Sequence, residues 1–159
     1  MEEKVYELFE KLNIAYEKVE HPPLFVCGDD EKYGVKFDGL HCKNLFLRNK
    51  NKSNYYLVSM PAEKRADLRE LQEKLEETRL SFGNEETLWE KLNIKSGSVS
   101  LLNIITVEKT DIEFIIDDEL LKSEKVGFHP NVNTATVFFS PNEIRKILEY
   151  YNVRYRFLA

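Results

Sequence analysis

Two apolar runs, residues 43–48 and 55–60, are separated only by the polar stretch Asn49-Lys50-Asn51-Lys52-Ser53-Asn54. Turn-forming side chains between two β-prone runs predict a hairpin. A connection this short can join only antiparallel strands, because a parallel pair needs a crossover of a dozen or more residues. This hairpin therefore argues against a purely parallel, doubly wound fold. The remaining periodicity must be fitted around it.

Val5, Leu8, Phe9 and Leu12 recur at helical spacing and predict an amphipathic helix over 3–12. Residues 15–20 read as extended, and His21-Pro22-Pro23 ends any regular element there. Gly28, Gly34 and Gly39 mark 27–41 as loop. Asp67 can cap a helix carrying Leu68, Leu71 and Leu75, and Asn84 one carrying Leu88, Trp89 and Leu92. Residues 79–82, 98–107, 112–117, 134–139 and 153–158 read as strands. Ser140-Pro141-Asn142-Glu143 combines a serine cap, an N-terminal proline and a glutamate three residues on, predicting a helix over 141–151. Interleaved elements with several short turns give an α+β domain spanning 1–159, a mixed and largely antiparallel sheet with packed helices.

The chain of 159 residues carries a formal charge of −5, which argues against coating nucleic acid by bulk electrostatics. Lys36, Lys43, Arg48, Lys50 and Lys52 nevertheless give 36–52 a local basic character. No apolar run approaches a membrane span and the start has no signal-peptide order. Cys27 and Cys42 form neither a disulfide framework nor a metal-ligand spacing. The expectation is a cytoplasmic protein with reduced thiols, no metal and no cofactor.

Three segments are more specific. In Lys43-Asn44-Leu45-Phe46-Leu47-Arg48, strand alternation puts Lys43, Leu45 and Leu47 on one face and Asn44, Phe46 and Arg48 on the other. A lysine on an otherwise apolar strand face is either a snorkelling edge residue or the cation of a cleft. Ser96-Gly97-Ser98-Val99-Ser100 is a small-residue turn whose amides could grip an anion or a carbonyl oxygen. In Gly127-Phe128-His129-Pro130-Asn131-Val132-Asn133-Thr134-Ala135-Thr136, His129 sits at a proline bend before a strand of small and hydroxyl residues. On these features alone, each segment has an ordinary structural reading as well as a functional one.

Together and in this order, the three segments resemble the YbaK/ProX family of aminoacyl-tRNA deacylases. His21-Pro22-Pro23-Leu24-Phe25, Pro61-Ala62-Glu63-Lys64-Arg65-Ala66-Asp67-Leu68 and Arg79-Leu80-Ser81-Phe82 extend the resemblance over nearly the whole chain. Lys-Asn-Leu-Phe-Leu and the His129-Pro130 to Thr136 wording look closest to the free-standing prolyl-tRNA editing proteins. Residues 26–40 depart from the alanine-rich helix of many relatives, in a region that helps line the family's pocket.

The resemblance implies hydrolysis of alanine wrongly esterified to proline tRNA, with deacylation of a Cys- or Ser-charged tRNA, or a non-catalytic tRNA- or synthetase-binding module, as the alternatives. It implies Lys43 and His129 as catalytic residues, and Asn44, Gly97, Ser98 and Asn133 as substrate-binding ones. Its partners would be the acceptor end of mischarged tRNA(Pro), with transient contact to prolyl-tRNA synthetase or an elongation factor, and neither DNA nor membrane. In an acidic chain, RNA affinity should rest on few cations. A salt titration of binding should then give a shallow slope, about 0.7–0.9 log units per phosphate neutralised. A steep slope would contradict this.

Overall fold

The computed structural model describes residues 2–22, 39–95, 98–106 and 112–159. Eight strands form one sheet: β1 (Tyr16–Glu20), β2 (Leu40–Arg48), β3 (Tyr55–Pro61), β4 (Ser81–Phe82), β5 (Ile112–Asp117), β6 (Val126–Phe128), β7 (Ala135–Phe139) and β8 (Arg154–Leu158). Their order is β1-β7-β6-β2-β3-β5-β8, with β4 paired onto β2. The β1·β7, β6·β7, β2·β3 and β2·β4 pairs are antiparallel, and β2·β6, β3·β5 and β5·β8 are parallel. The expected α+β architecture is thus observed, and the hairpin is in register from Cys42–Pro61 to Arg48–Tyr55.

Among the described residues, four α-helices cover this sheet unequally: α1 (Glu2–Lys11), α2 (Leu68–Leu75), α3 (Glu85–Leu92) and α4 (Glu143–Tyr150). The larger core joins Val5, Leu8 and Phe9 of α1, Leu88 and Leu92 of α3, and Ile144, Ile147 and Leu148 of α4. These pack on Phe46, Leu57, Phe114, Phe128 and Val137 of the sheet. Call this the inner face. On the outer face a smaller cluster sets Leu75 of α2 against Leu47, Tyr56, Val58 and Ile115. Alternation therefore works as the sequence predicted: Phe46 points in, and Leu45 and Leu47 point out.

Asp67 and Asn84 cap α2 and α3 as expected, accepting bonds from Arg69 and Glu70 N–H and from Thr87 N–H. Helix α4 differs from expectation. It begins at Glu143, its cap position Asn142 makes no side-chain bond, and the Ser140 carbonyl accepts from Glu143 N–H at 3.0 Å. The larger correction concerns 98–107, read as a strand. Leu101–Thr106 is a 3-10 helix instead. Ser100 N–H donates to Asn103 Oδ1 at 2.7 Å and Leu102 N–H to Ser100 Oγ at 3.1 Å. These local side-chain bonds satisfy the backbone in place of a ladder. Leu101, Leu102 and Ile104 are all buried, and a short apolar run buried all round has no period that tells strand from helix.

The hairpin tip is locked by Glu77, in the turn after α2. Its carboxylate accepts from Tyr56 Oη at 2.5 Å, Asn54 Nδ2 at 2.9 Å and Asn49 Nδ2 at 3.2 Å. Burial works to raise its pKa, but these donors and the Thr78 amide prevail and lower it to about 2. A depressed carboxylate pKa stabilises the fold above its unfolded value, and that stability is lost as pH falls toward 2. Glu77→Gln should cost about 1–2 kcal/mol by urea denaturation at neutral pH. The loss should shrink between about pH 4.5 and 2, and a constant difference across that range would contradict the assignment.

Candidate functional site

Among the described residues, the sheet is incomplete beside the hairpin. β3 pairs β2 from Cys42 to Arg48 on one edge. On the other edge β6 pairs only at Leu40 and His41, and β4 only at Leu47 and Arg48. Gly83 N–H still reaches the Phe46 carbonyl at 2.9 Å. From Cys42 to Leu45, that edge of β2 has no neighbouring strand among the described residues. Lys43 and Asn44 lie on this stretch of β2.

Lys43 lies in the gap, opposite Met60 and half-buried. Among the described residues its ammonium makes no hydrogen bond or ion pair. By alternation its side chain belongs to the outer face, with His41 and Leu45. Asn44 takes the inner face. Its Oδ1 accepts from Ser59 Oγ at 2.6 Å and from Leu101 N–H at 3.1 Å. One amide oxygen thus ties β2, β3 and the start of the 3-10 helix, fixing the Ser98-Val99-Ser100 approach. Asn44 is a positioning residue with its carbonyl oxygen already committed.

His129 follows β6. Its Nδ1 lies 3.0 Å from the Ala135 carbonyl, an acceptor only, so Nδ1 carries the proton and Nε2 is left with a free lone pair. Burial lowers its pKa to about 4; neighbouring His41 and His21 lower it further, while the Ala135 carbonyl works the other way. His129 is therefore a neutral imidazole at pH 7. The other two histidines of the chain meet it: the rings of His21 and His41 each lie 5.9 Å from that of His129. His21 is held by the Pro22 carbonyl at Nδ1 and Thr136 Oγ1 at Nε2, both at 2.8 Å. The parallel register His41–Gly127 explains the convergence, since it carries His41 and the residue after β6 to one end of the sheet. Gly127 is required there: a Cβ would lie 2.5 Å from the Phe138 ring. Sequence reading missed the trio because its members are remote along the chain and only the β2·β6 and β1·β7 pairings assemble it.

Ser98 and Asn133 come together in a groove of about 340 Å³, which Trp89, Asn93, Lys95, Asn131, Val132 and Thr134 also line. Asn131, in the left-handed region at φ 65°, links the groove to the interior. Its Oδ1 accepts from Asn103 Nδ2 at 2.6 Å, and Asn103 Nδ2 also reaches the Ser98 carbonyl at 3.2 Å. The 129–134 bend therefore runs from the histidine trio to the groove and is pinned to the Ser98 segment on the way. Gly97, with Ser96, lies outside the described residues, as do 23–38, which include 27–38 of the expected loop. Among the described residues no cluster of His, Cys, Asp and Glu is arranged to hold a metal ion. The buried Cys42 thiol, pushed up to about 12 by burial, is unsuited to be a nucleophile. No helix of the described residues is long and apolar enough to cross a membrane.

Among the described residues, Lys43 makes no hydrogen bond or ion pair, His129 is a neutral imidazole, and a polar groove lies at Ser98 and Asn133. Comparison with known proteins places the chain. The family model of the aminoacyl-tRNA editing domain matches residues 31–147, and the chain belongs to that family. The prolyl-tRNA editing protein ProX of Acetoanaerobium sticklandii is 34% identical over 140 residues, 88% of this chain and 85% of that protein. The prolyl-tRNA synthetase associated domain-containing protein 1 of Mus musculus is 35% identical over 136 residues, 83% of this chain and 80% of its own. A crystal structure provisionally described as a trans-editing enzyme for prolyl tRNA synthetase superposes with a TM-score of 0.71 at 18% identity, covering 99% of this chain and 95% of that one. At that identity it shows the shared fold.

The protonation state of His129 can be measured directly. Imidazole NMR should show His129 neutral from pH 8 to about 5, with a midpoint near 4. Because its folded pKa lies below the unfolded one, its contribution to stability is full above about pH 6.5 and declines as pH falls toward 4. A midpoint at or above 6.5 would refute the burial argument.

Proposed function

We propose that this protein removes a wrongly attached amino acid from tRNA by hydrolysing the ester at the terminal ribose, with alanyl-tRNA(Pro) as substrate. Membership of the aminoacyl-tRNA editing family supports the reaction class, and the names of the relatives support proline tRNA. The observation that carries the mechanism is Lys43 beside the sheet gap, without a hydrogen bond or ion pair among the described residues, on the strand face shared with His41 of the histidine trio.

An aminoacyl ester is already activated, so the protein need only hold it, admit water and stabilise the developing oxyanion. Lys43 supplies positive charge where the carbonyl oxygen becomes negative. His129 Nε2, neutral and lone-paired, accepts a hydrogen bond from the attacking water or from the ribose hydroxyl and orients it. Asn44 fixes the Ser98 segment, and Ser98 with Asn133 binds the substrate end. Gly97 is assigned beside Ser98 on the family resemblance alone. Prolyl-tRNA synthetase cannot strongly reject the smaller alanine, since a missing methylene is worth only about 1–3 kcal/mol. A second site too tight for proline clears the error.

The test is a deacylation time course on Ala-tRNA(Pro) and Pro-tRNA(Pro), with a thermal melt beside it. The wild-type chain should hydrolyse the alanyl ester and spare the prolyl one. Lys43→Ala should retain its melting transition, because Leu45 and Leu47 still anchor β2, and lose roughly a hundredfold or more in rate. Lys43→Arg should recover little, since a planar guanidinium is no substitute for a compact ammonium. A Lys43→Ala variant with near-normal rate would remove Lys43 from the mechanism.

A further inference from the structure

Trp89 is the one tryptophan of the chain, and it is 56% exposed. It projects from α3 away from Leu88 and Leu92, which are buried in the inner core. A single exposed ring would need no explanation. Trp89 is not isolated: it forms one wall of the groove that holds Ser98 and Asn133. The groove's size falls within the range of small-ligand sites.

The chemistry of the lining is selective. Apart from Lys95, its polar side chains are uncharged: Asn93, Asn131, Asn133, Ser98 and Thr134. Asn131 is occupied by Asn103 and by the Leu102 carbonyl, so it stiffens the wall. The side chains of Asn93 and Asn133 make no hydrogen bond among the described residues. Asn93 is also the C-cap of α3, so the negative end of that helix faces the groove. That end disfavours a phosphate in the groove itself and favours neutral donors such as ring amino groups. A flat, neutral, amide-edged ligand seated on an indole meets all of these conditions, with Lys95 at the rim for an adjoining anion.

We propose that this groove holds an unpaired nucleobase of the single-stranded 3′ end of the RNA, stacked on Trp89. The edge of the base is met by Asn93 and Asn133, and the neighbouring phosphate by Lys95. The inference rests on the proposed reading of the protein as acting on charged tRNA, and it assigns the place where the strand is gripped beside the ester. Ser98 and Asn133 line this groove, and the 129–134 bend leads from it to His129, so gripping the base there would direct the terminal ribose toward the β2 gap.

The experiment uses Trp89 as its own reporter. An uncharged single-stranded oligoribonucleotide ending in CCA is titrated against the whole chain while tryptophan fluorescence is followed. A strand of equal length and charge with abasic 3′ positions is the control. The CCA strand should quench saturably and the abasic strand should not. Trp89→Ala should then raise the KM for Ala-tRNA(Pro) by roughly tenfold, the scale of one lost base stack, with kcat held within about twofold. Trp89→Phe should restore most of the loss, and Phe82→Ala, an exposed aromatic outside the groove, should change nothing. Equal quenching by both strands would make this a phosphate site and overturn the proposal, as would an unchanged KM in Trp89→Ala. Failure of deacylation with base-dependent quenching intact would instead count against the catalytic reading alone.

Discussion

Among the described residues, strand β2 is paired along Cys42–Arg48 on one edge and only at its ends on the other, and the rest of the proposed site depends on that asymmetry. A continuous ladder would leave no room beside Lys43. An unpaired strand would not be held rigidly enough to aim it. Pairing with β3 along Cys42–Arg48 supplies the rigidity, and the separate, short contacts of β6 and β4 supply the opening. The cost of exposing a strand edge is contained because both ends of the gap are closed by strands and the inner side is tied by Asn44 to Leu101.

From that gap the division of labour between the two faces follows. The inner face is sealed by α1, α3 and α4 around Phe9, Phe114 and Phe139. The outer face is covered by α2 over Leu47, Val58 and Ile115. Beyond that cluster lie Lys43, half-buried on β2, and the histidines, whose rings meet at His129. Burial drives His129 to its uncharged form. The 129–134 bend then runs from His129 to the groove at Ser98, and Asn131 and Ser98 are both tied to Asn103.

Much of this was legible in the sequence, for identifiable reasons. The hairpin, the caps at Asp67 and Asn84, and the two faces of 43–48 rest on local signals: turn chemistry, side-chain oxygens before apolar runs, and alternation. Lys43, His129, Ser98 and Asn133 were picked out by motif. Two things were not legible. The 3-10 helix at Leu101–Thr106 defeats periodicity because it is apolar all round and its backbone is satisfied by Ser100, Asn103 and Asn44, the last from far along the chain. The histidine trio was invisible because no spacing relates His21, His41 and His129; only the order of strands does. The β-strand at Val126–Phe128 escaped for a simpler reason, since three residues carry no period.

The central claim is that Lys43, the His129 side of the bend, and the Ser98–Asn133 groove serve one ligand. The direct measurement is an NMR titration with a non-hydrolysable alanyl-adenosine in which an amide replaces the ester. The account predicts that signals of Lys43, Ser98, His129 and Asn133 shift together, with one saturation curve. Shifts confined to the groove, with Lys43 and His129 unmoved at saturation, would contradict it.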